Sequence, residues 1–360
     1  MSDNKTAMVG TPCQVLAGEK INRYENETGG SPIDVKIGLF CMENFSYSYL
    51  EKFLKENDIA LFEVKDFKIE NGFFIANLID GNVFKVPLSQ TEPFTRKNCE
   101  VCTDYTANSA DISVGSVGSS KGYSTVIVRT KKGQEIIEGC IKKRYIEIDK
   151  LSDKGHDLLE KISNKKISKN LKNIAKRESI SRPVLSKRNL SEEEFYKESE
   201  NCHFDNLEAD VISVGSCVLC GACEYVCPED IIKIDDRKPV KKGECLEECH
   251  ACYFACPRTF VSNEIYDDDI DENPLGNYLR IFQAKSNAVI GQDGGVVSSI
   301  LIYLLENNIV DDVSIVGQDV NKSWKPYSYL TPNVEDVVAA SGTKYSTVPI
   351  GFKALNEKGD

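Results

Sequence analysis

Apolar residues in the first 150 positions fall into short runs separated by turn signals. Residues 7–9 read as the end of a strand leading into Thr11-Pro12-Cys13, which places Cys13 in a turn. Residues 35–40 form a second run, and 47–56 carry apolar side chains at the i, i+3, i+4 spacing of a helix. The stretch 62–86 alternates as three antiparallel strands, with Glu70-Asn71-Gly72 and Asp80-Gly81-Asn82 as hairpin turns. Residues 123–129 read as a strand, and 134–143 as a helix with Cys140 as an ordinary core thiol. From about 150 to 200 the pattern changes. Lys, Ser, Asn, Glu and Arg dominate, while Leu158, Leu159, Ile162, Ile167, Leu171 and Ile174 recur at helical spacing. Pro183 should end that helix near Ser181. The expected result is a solvated helical linker whose charges face water; docking of an acidic partner on its basic residues is a secondary reading. Beyond an acidic spacer at 267–272, residues 276–286 begin a new strand and Gln292-Asp-Gly-Gly295 opens a helix reaching 307. A strand at 312–316, a short helix at 334–339 and a polar turn at 341–345 follow.

Composition narrows the function classes. The 360 residues are 41% hydrophobic and 28% charged, with a net charge of -12. That balance offers no basic face for a phosphate backbone, so nucleic acid is not an expected partner. An acidic surface suits an electron carrier that docks on basic patches, and equally suits plain solvation. The longest apolar run, 296–305, is interrupted by two serines and is far short of the roughly 18 residues of a membrane span. The opening Met-Ser-Asp-Asn-Lys has no apolar core behind it, so no signal peptide is expected. Fourteen cysteines then point to metal ligation in a reducing cytoplasm rather than to disulfides.

Eight of them are tightly spaced. Cys217, Cys220, Cys223 and Cys227-Pro228 have the C-x2-C-x2-C-x3-C-P spacing that wraps a 4Fe-4S cube, and Cys245, Cys249, Cys252 and Cys256-Pro257 repeat it with one extra residue in the first gap. Zinc knuckles or disulfides are the alternative, but zinc sites rarely use such steps in direct tandem with Cys-Pro ends. In two-cluster ferredoxins the fourth cysteine of each run crosses to the other cluster. One cube is therefore assigned Cys217, Cys220, Cys223 and Cys256, the other Cys245, Cys249, Cys252 and Cys227. Cys202 and His203 are read as incidental neighbours.

Four further cysteines, Cys13, Cys41, Cys99 and Cys102, fall at strand ends or in loops, where a third cluster or ordinary buried thiols would fit equally well. Gly115-Ser116-Val-Gly118 is neither a dinucleotide fingerprint nor a P-loop and reads as a loop or a phosphate approach. Gly294-Gly295 before a helix reads either as an anion site or as a glycine cap.

Thr11-Pro-Cys-Gln14, Cys41-Met-Glu-Asn-Phe45, Cys99-x2-Cys102-x-Asp-Tyr105 and Ala110-Asp-Ile-Ser-Val-Gly-Ser-Val-Gly118 resemble the C-terminal half of the beta subunit of coenzyme F420-reducing hydrogenase. Trp324-Lys-Pro326, Gln292 to Gly295 and Ser341-Gly-Thr-Lys-Tyr345 resemble its N-terminal half. The resemblance implies FAD, a 4Fe-4S cluster on Cys13, Cys41, Cys99 and Cys102, and flavin contacts from Asn44, Gly115, Ser116, Gly118, Ser124, Gln292, Gly294, Gly295, Thr343, Lys344 and Tyr345. It further implies hydride exchange between coenzyme F420 and FAD, then single-electron steps through the clusters to a redox partner subunit or a ferredoxin-type acceptor. No protein side chain need act as acid or base. An F420-independent electron adaptor and a polyferredoxin-like carrier without FAD are the alternatives.

The family's halves stand in reverse order. The expected fold class is α+β: a split flavin/iron–sulfur domain from 1–148 and 273–360, a charged helical linker at 149–208, and a small two-cluster ferredoxin domain at 209–262. Circular permutation of one flavin domain accounts for this order, since chain ends often lie close together; a fragment of a tandem fusion is the alternative.

Overall fold

The computed structural model describes residues 4–235, 238–265, 273–289, 291, 293–319 and 322–350. Gln292, the acidic spacer at 267–272 and both chain ends lie outside the described residues.

Apart from the two-residue strands Asn189–Leu190 and Val261–Ser262, the strands are β1 (Thr6–Gly10), β2 (Val35–Leu39), β3 (Val64–Glu70), β4 (Phe73–Leu78), β5 (Val83–Pro87), β6 (Ile112–Gly115), β7 (Ser124–Val128), β8 (Ile146–Asp149), β9 (Ile232–Asp235), β10 (Lys238–Lys241), β11 (Arg280–Ser286), β12 (Asp312–Gln318) and β13 (Pro326–Thr331). The helices that matter below are α1 (Pro12–Arg23), α2 (Tyr47–Lys55), α3 (Lys131–Lys142), α4 (Asp153–Glu178), α5 (Glu192–Ser199), α6 (Val296–Glu306) and α7 (Val334–Ala339).

Eight strands form one sheet in the order β13-β12-β1-β2-β6-β7-β11-β8. Five come from the first 150 residues and three from beyond residue 279, and the two sources interleave. β1 runs parallel to β12, with Ala7 opposite Val313, and parallel to β2, with Ala7 opposite Val35. β11 lies between β7 and β8, antiparallel to both, so β7 and β8 are joined only through it. The β12, β1, β2 and β6 pairings are parallel, so the sheet is mixed, a departure from the α+β expectation. Parallel strands must be covered on both faces, and nearly every residue of β2, β6 and β7 is buried, polar ones included; Ile37, Ile112 and Val126 share a core with Ile136 and Ile137 of α3 and Ile300 and Leu304 of α6.

The strand triplet β3-β4-β5 forms a separate antiparallel sheet, with Asn71 and Gly72 at positive φ in the first turn as the hairpin signal requires. Its core also joins distant parts of the chain. Trp324 packs edge-on to Phe67 at 4.7 Å and donates Nε1–H to the Val64 carbonyl, and Tyr345 packs in the same cluster.

Residues 153–178 do form a helix, ending at Glu178, but α4 is not solvated along its length. Gly155, Leu159, Ser163, Lys166, Ile167, Asn170 and Ile174 form one buried stripe at the three- and four-residue spacing of a single helix face. The ferredoxin-like region is likewise packed rather than tethered. Val15, Ala17 and Ile21 of α1 and its capping Tyr24 share a core with Phe195 of α5, Cys220, Cys223, Tyr225 and Phe254, and Tyr24 stacks on Phe195 at 4.5 Å.

Candidate iron–sulfur centre

The tandem cysteines are held in two short loops, each closed by a helical turn. Leu219 and Gly221 adopt positive φ, which turns the backbone back on itself and aims N–H groups inward: those of Leu219 and Ala222 donate to the sulfurs of Cys217 and Cys220. Cys217, Cys220, Cys223 and Cys256 line one cavity, walled by Leu207, Val211, Ile212, Val218 and Pro239. Cys227, Cys245, Cys249 and Cys252 line another with Ile231, Ile232 and Leu246. Two helical turns, Ala222–Tyr225 and Ala251–Ala255, pack together and place Cys227 and Cys256 at crossed positions. All of these thiols are free. Burial raises Cys217 to about 11 and pushes Cys220 and Cys223 well above the ordinary thiol range. Thiolates in such apolar surroundings need a metal to hold their charge, so this donor set fits iron–sulfur cubes. His203, read as incidental, is in contact with the second loop: its Nδ1 lies 2.8 Å from the Cys249 carbonyl.

Cys13, Cys41, Cys99 and Cys102 are drawn together from three stretches of chain, and their charges interact with one another. Cys13 is not in a turn, as its sequence context suggests. It sits in the first turn of α1, because Pro12 occupies the first helical position, where its missing N–H costs nothing. The Gln14 side chain caps that turn by accepting from Thr11 N–H at 2.8 Å. Asn44 N–H donates to the Cys99 sulfur, and burial raises that thiol to about 11.

Three cations surround this set, and no sequence motif marks any of them. Lys166 of α4 donates to the carbonyls of Cys41 at 2.5 Å and Asp104 at 2.7 Å. One helical turn on, Asn170 donates to the carbonyls of Cys99 at 3.0 Å and Cys102 at 2.5 Å. The helix expected as a linker is therefore a wall of the site. Arg258, two residues after Cys256, is 6% exposed and hydrogen-bonds the Cys102 sulfur. Burial raises the Cys102 thiol, but the Lys166 and Arg258 charges outweigh it and hold the group below its ordinary value. Arg96, between Thr95 and the Cys99 turn, reaches the other way, to the carbonyls of Cys217 and Val218 at 3.3 Å each. The sequence holds one hint of α4's role, the recurrence of Ser163, Lys166 and Asn170 on the same face as Leu159 and Ile174; Arg258 carries no signal beyond its place beside Cys256-Pro257.

A cluster fits the scattered set. A cavity lined by Cys13, Cys102, Pro257 and Arg258 lies between the loops, and the buried Arg258 Nε has no hydrogen-bond partner among the described residues, as expected of a donor facing an acceptor that is not protein.

The residues expected around a flavin are less uniformly placed. Gly115 packs on Phe40, whose ring a Cβ would meet at 2.2 Å. Gly118, at φ +94°, packs on the Gly155 carbonyl of α4, 2.6 Å from where its Cβ would be. Packing alone requires glycine at both positions. Gly118→Ala should therefore cost about 1–3 kcal/mol of stability through strain at a positive φ, measurable by denaturant unfolding. Lys344 Nζ is held by the carbonyls of Ala340, Ser341 and Gly342 after α7, and burial lowers it to about 8. Its ammonium thus lies on the carbonyls at the end of α7. Ser116 accepts from Ser119 Oγ through its carbonyl, and Thr343 lies in the exposed turn after α7. Two groups do converge. Ser124 Oγ donates to the Asp293 carbonyl beside Gly294 and Gly295, both left-handed, at the start of α6. Asn44 adjoins Phe45, whose N–H donates to the Tyr345 carbonyl at 3.1 Å.

The last described segment ties the region together. Gln14 Nε2 donates to the Val348 carbonyl at 3.0 Å, and Ile350 N–H donates to the Cys220 carbonyl at 2.9 Å. The 345–350 stretch thus touches the Cys13 helix, the Cys41 loop and the first ferredoxin loop.

Known proteins carry the same parts. Residues 3–154 match the family of the C terminus of the coenzyme F420 hydrogenase/dehydrogenase beta subunit, residues 281–355 match the family of its N-terminal part, and residues 210–233 match a 4Fe-4S binding domain. Coenzyme F420 hydrogenase subunit beta of Methanococcus voltae is 39% identical over 183 residues, 50% of this chain and 65% of that protein. The F420-dependent formate dehydrogenase subunit beta of Methanocaldococcus jannaschii is 26% identical over 278 residues, 64% of this chain and 69% of that protein. A component of the F420-reducing [NiFe] hydrogenase complex from Methanosarcina barkeri is 38% identical, with a TM-score of 0.47, covering 49% of this chain and 62% of that one. This chain spans less than two thirds of the length of the hydrogenase subunits it matches. Among the described residues no helix is long and apolar enough to cross a membrane. The chain is built from the two halves of the coenzyme F420 hydrogenase/dehydrogenase beta-subunit family, C-terminal half first, around a 4Fe-4S binding domain.

Proposed function

We propose that this chain is an oxidoreductase subunit that passes electrons between coenzyme F420 and a redox partner through three 4Fe-4S clusters, held by Cys13, Cys41, Cys99 and Cys102, by Cys217, Cys220, Cys223 and Cys256, and by Cys227, Cys245, Cys249 and Cys252. The carrying observation is the gathering of twelve free thiols into three sets, the scattered set joined to the first ferredoxin set by Arg96 and Arg258. The protein's part is positional. Apolar walls exclude water, backbone N–H groups stabilise the sulfurs, and buried cations offset the charge of each added electron.

FAD, in this reading, is the group that turns a two-electron hydride into single electrons, as the family likeness implies. Its support within the chain is the α6 N-terminus at Gly294-Gly295 with Ser124, and the juxtaposed Asn44 and Tyr345. The commitment of Gly115, Gly118 and Lys344 to protein contacts favours a second reading, a cluster-bearing electron carrier without FAD. One preparation separates them. Protein purified anaerobically with iron should carry about one FAD, and reduced coenzyme F420 at micromolar concentration should bleach the flavin in a stopped-flow mixing experiment. A flavin-free spectrum at full iron content defeats the hydride-exchange reading; bound flavin that reduced F420 leaves oxidised defeats F420 as the donor.

A further inference from the structure

Arg258 belongs by sequence to the ferredoxin region and by contact to the scattered set. Its backbone N–H donates to the Cys256 sulfur at 3.4 Å, while its guanidinium reaches the Cys102 sulfur and the carbonyls of Asn98 at 3.4 Å and Val101 at 3.5 Å. It is 6% exposed, and its buried Nε has no partner among the described residues. No carboxylate among the described residues forms an ion pair with this permanent charge. The anionic groups facing it are the thiols of Cys13, Cys99 and Cys102 and those of Cys217 and Cys256; Arg96 and Arg177 are its cationic neighbours.

We infer that Arg258 is the shared counter-ion of two clusters and a positioning residue that sets their reduction potentials, raising the scattered cluster most. This rests on the three-cluster reading above. A cube ligated by four thiolates is an anion that becomes more negative when it takes an electron. A guanidinium in a low-dielectric site therefore stabilises the reduced form more than the oxidised one. Lys166 adds a second charge to the scattered set alone: its interactions are with Cys41, Cys99, Cys102 and Asp104. The leading charges on Cys252 are those of Cys249, Cys245, Cys256 and Cys227, so its fellow cysteines rather than these cations dominate the third set. Arg96 lies at the same junction: it donates to the Cys217 and Val218 carbonyls, and its charge, like that of Arg258, acts on Cys217.

The test is an anaerobic redox titration of the full iron-loaded chain followed by EPR, with the scattered cluster's signal identified by its loss in Cys41→Ala. In Arg258→Gln, the oxidised-to-reduced ratio of the scattered cluster at fixed potential should rise at least tenfold, equivalent to a midpoint about 59 mV lower. The middle cluster should fall by less, and the third should not move. Lys166→Met should lower the scattered cluster alone. Arg258→Lys, which keeps the charge, should retain midpoints close to those of the parent. Full iron with unshifted midpoints in Arg258→Gln overturns the inference, and so does an equal shift of all three clusters. Should Arg258→Gln fail to load iron, Arg258→Lys decides, since a fall there would show a role in geometry rather than charge. An iron content of about eight per chain in the parent protein would instead defeat the three-cluster reading.

Discussion

Replacing Cys41 by alanine should lower the iron content of the anaerobically prepared chain from about twelve to about eight atoms and leave the two ferredoxin-type signals in place. A 4Fe-4S cube takes four thiolate ligands, and the scattered set shares no cysteine with the other two. The loss should therefore be confined to one cluster. The cations add a cost in stability. Lys166 and Arg258 are both buried, and both interact with this set of sulfurs. Without the cluster anion their charges stand uncompensated, and removing one partner of a buried ion pair costs about 3–5 kcal/mol. The variant should therefore melt well below the parent when both are iron-loaded. Retention of about twelve iron atoms would sink the assignment of Cys41, and loss of all iron would show that the ferredoxin loops cannot form without the scattered site.

A chain ending at residue 265 should fail to fold cooperatively, and supplying residues 273–360 as a separate polypeptide should restore a single melting transition. The reason is the interleaved sheet. Removing the C-terminal segment takes away β11, the strand that joins β7 to β8, and β12 with β13, which cover the edge of β1. It also removes α6, whose Val296, Ile300 and Leu304 are almost wholly buried against the sheet. Burying one such side chain is worth roughly 1.5–3 kcal/mol, and a domain's net stability is only about 5–15 kcal/mol. Circular dichroism and thermal melts of the truncated and recombined chains measure the outcome. A cooperative melt of the 1–265 chain alone would show that the terminal segments are separate folding units.

Much of the local structure could be read directly. The β3-β4-β5 meander followed from approximate alternation and two glycine turns, because a hairpin needs φ values that Asn-Gly readily adopts. The tandem cysteines followed from spacing alone, since most of a cube's ligands converge from one short loop. The parallel pairing of β1 with β12 could not be read, because strands some 300 residues apart leave no local trace of their register. Nor could the role of α4. A lysine and an asparagine on an amphipathic helix look the same whether they face water or a set of carbonyls, and only the loops bearing Cys41, Cys99 and Cys102 show which.

Ligand chemistry, the hairpin meander and the likeness of each terminal segment to half of a known beta subunit are all written within stretches of a few dozen residues, and so could be taken from the chain without its fold. Three other features exist only once the chain has closed on itself: the sharing of one sheet by both terminal segments, the place of α4 as a wall of the scattered cysteine site, and the reach of Arg258 from one cysteine set to the next. Each of these depends on residues far apart in the chain meeting in a low-dielectric interior, where the partner rather than the residue type fixes what a buried charge does.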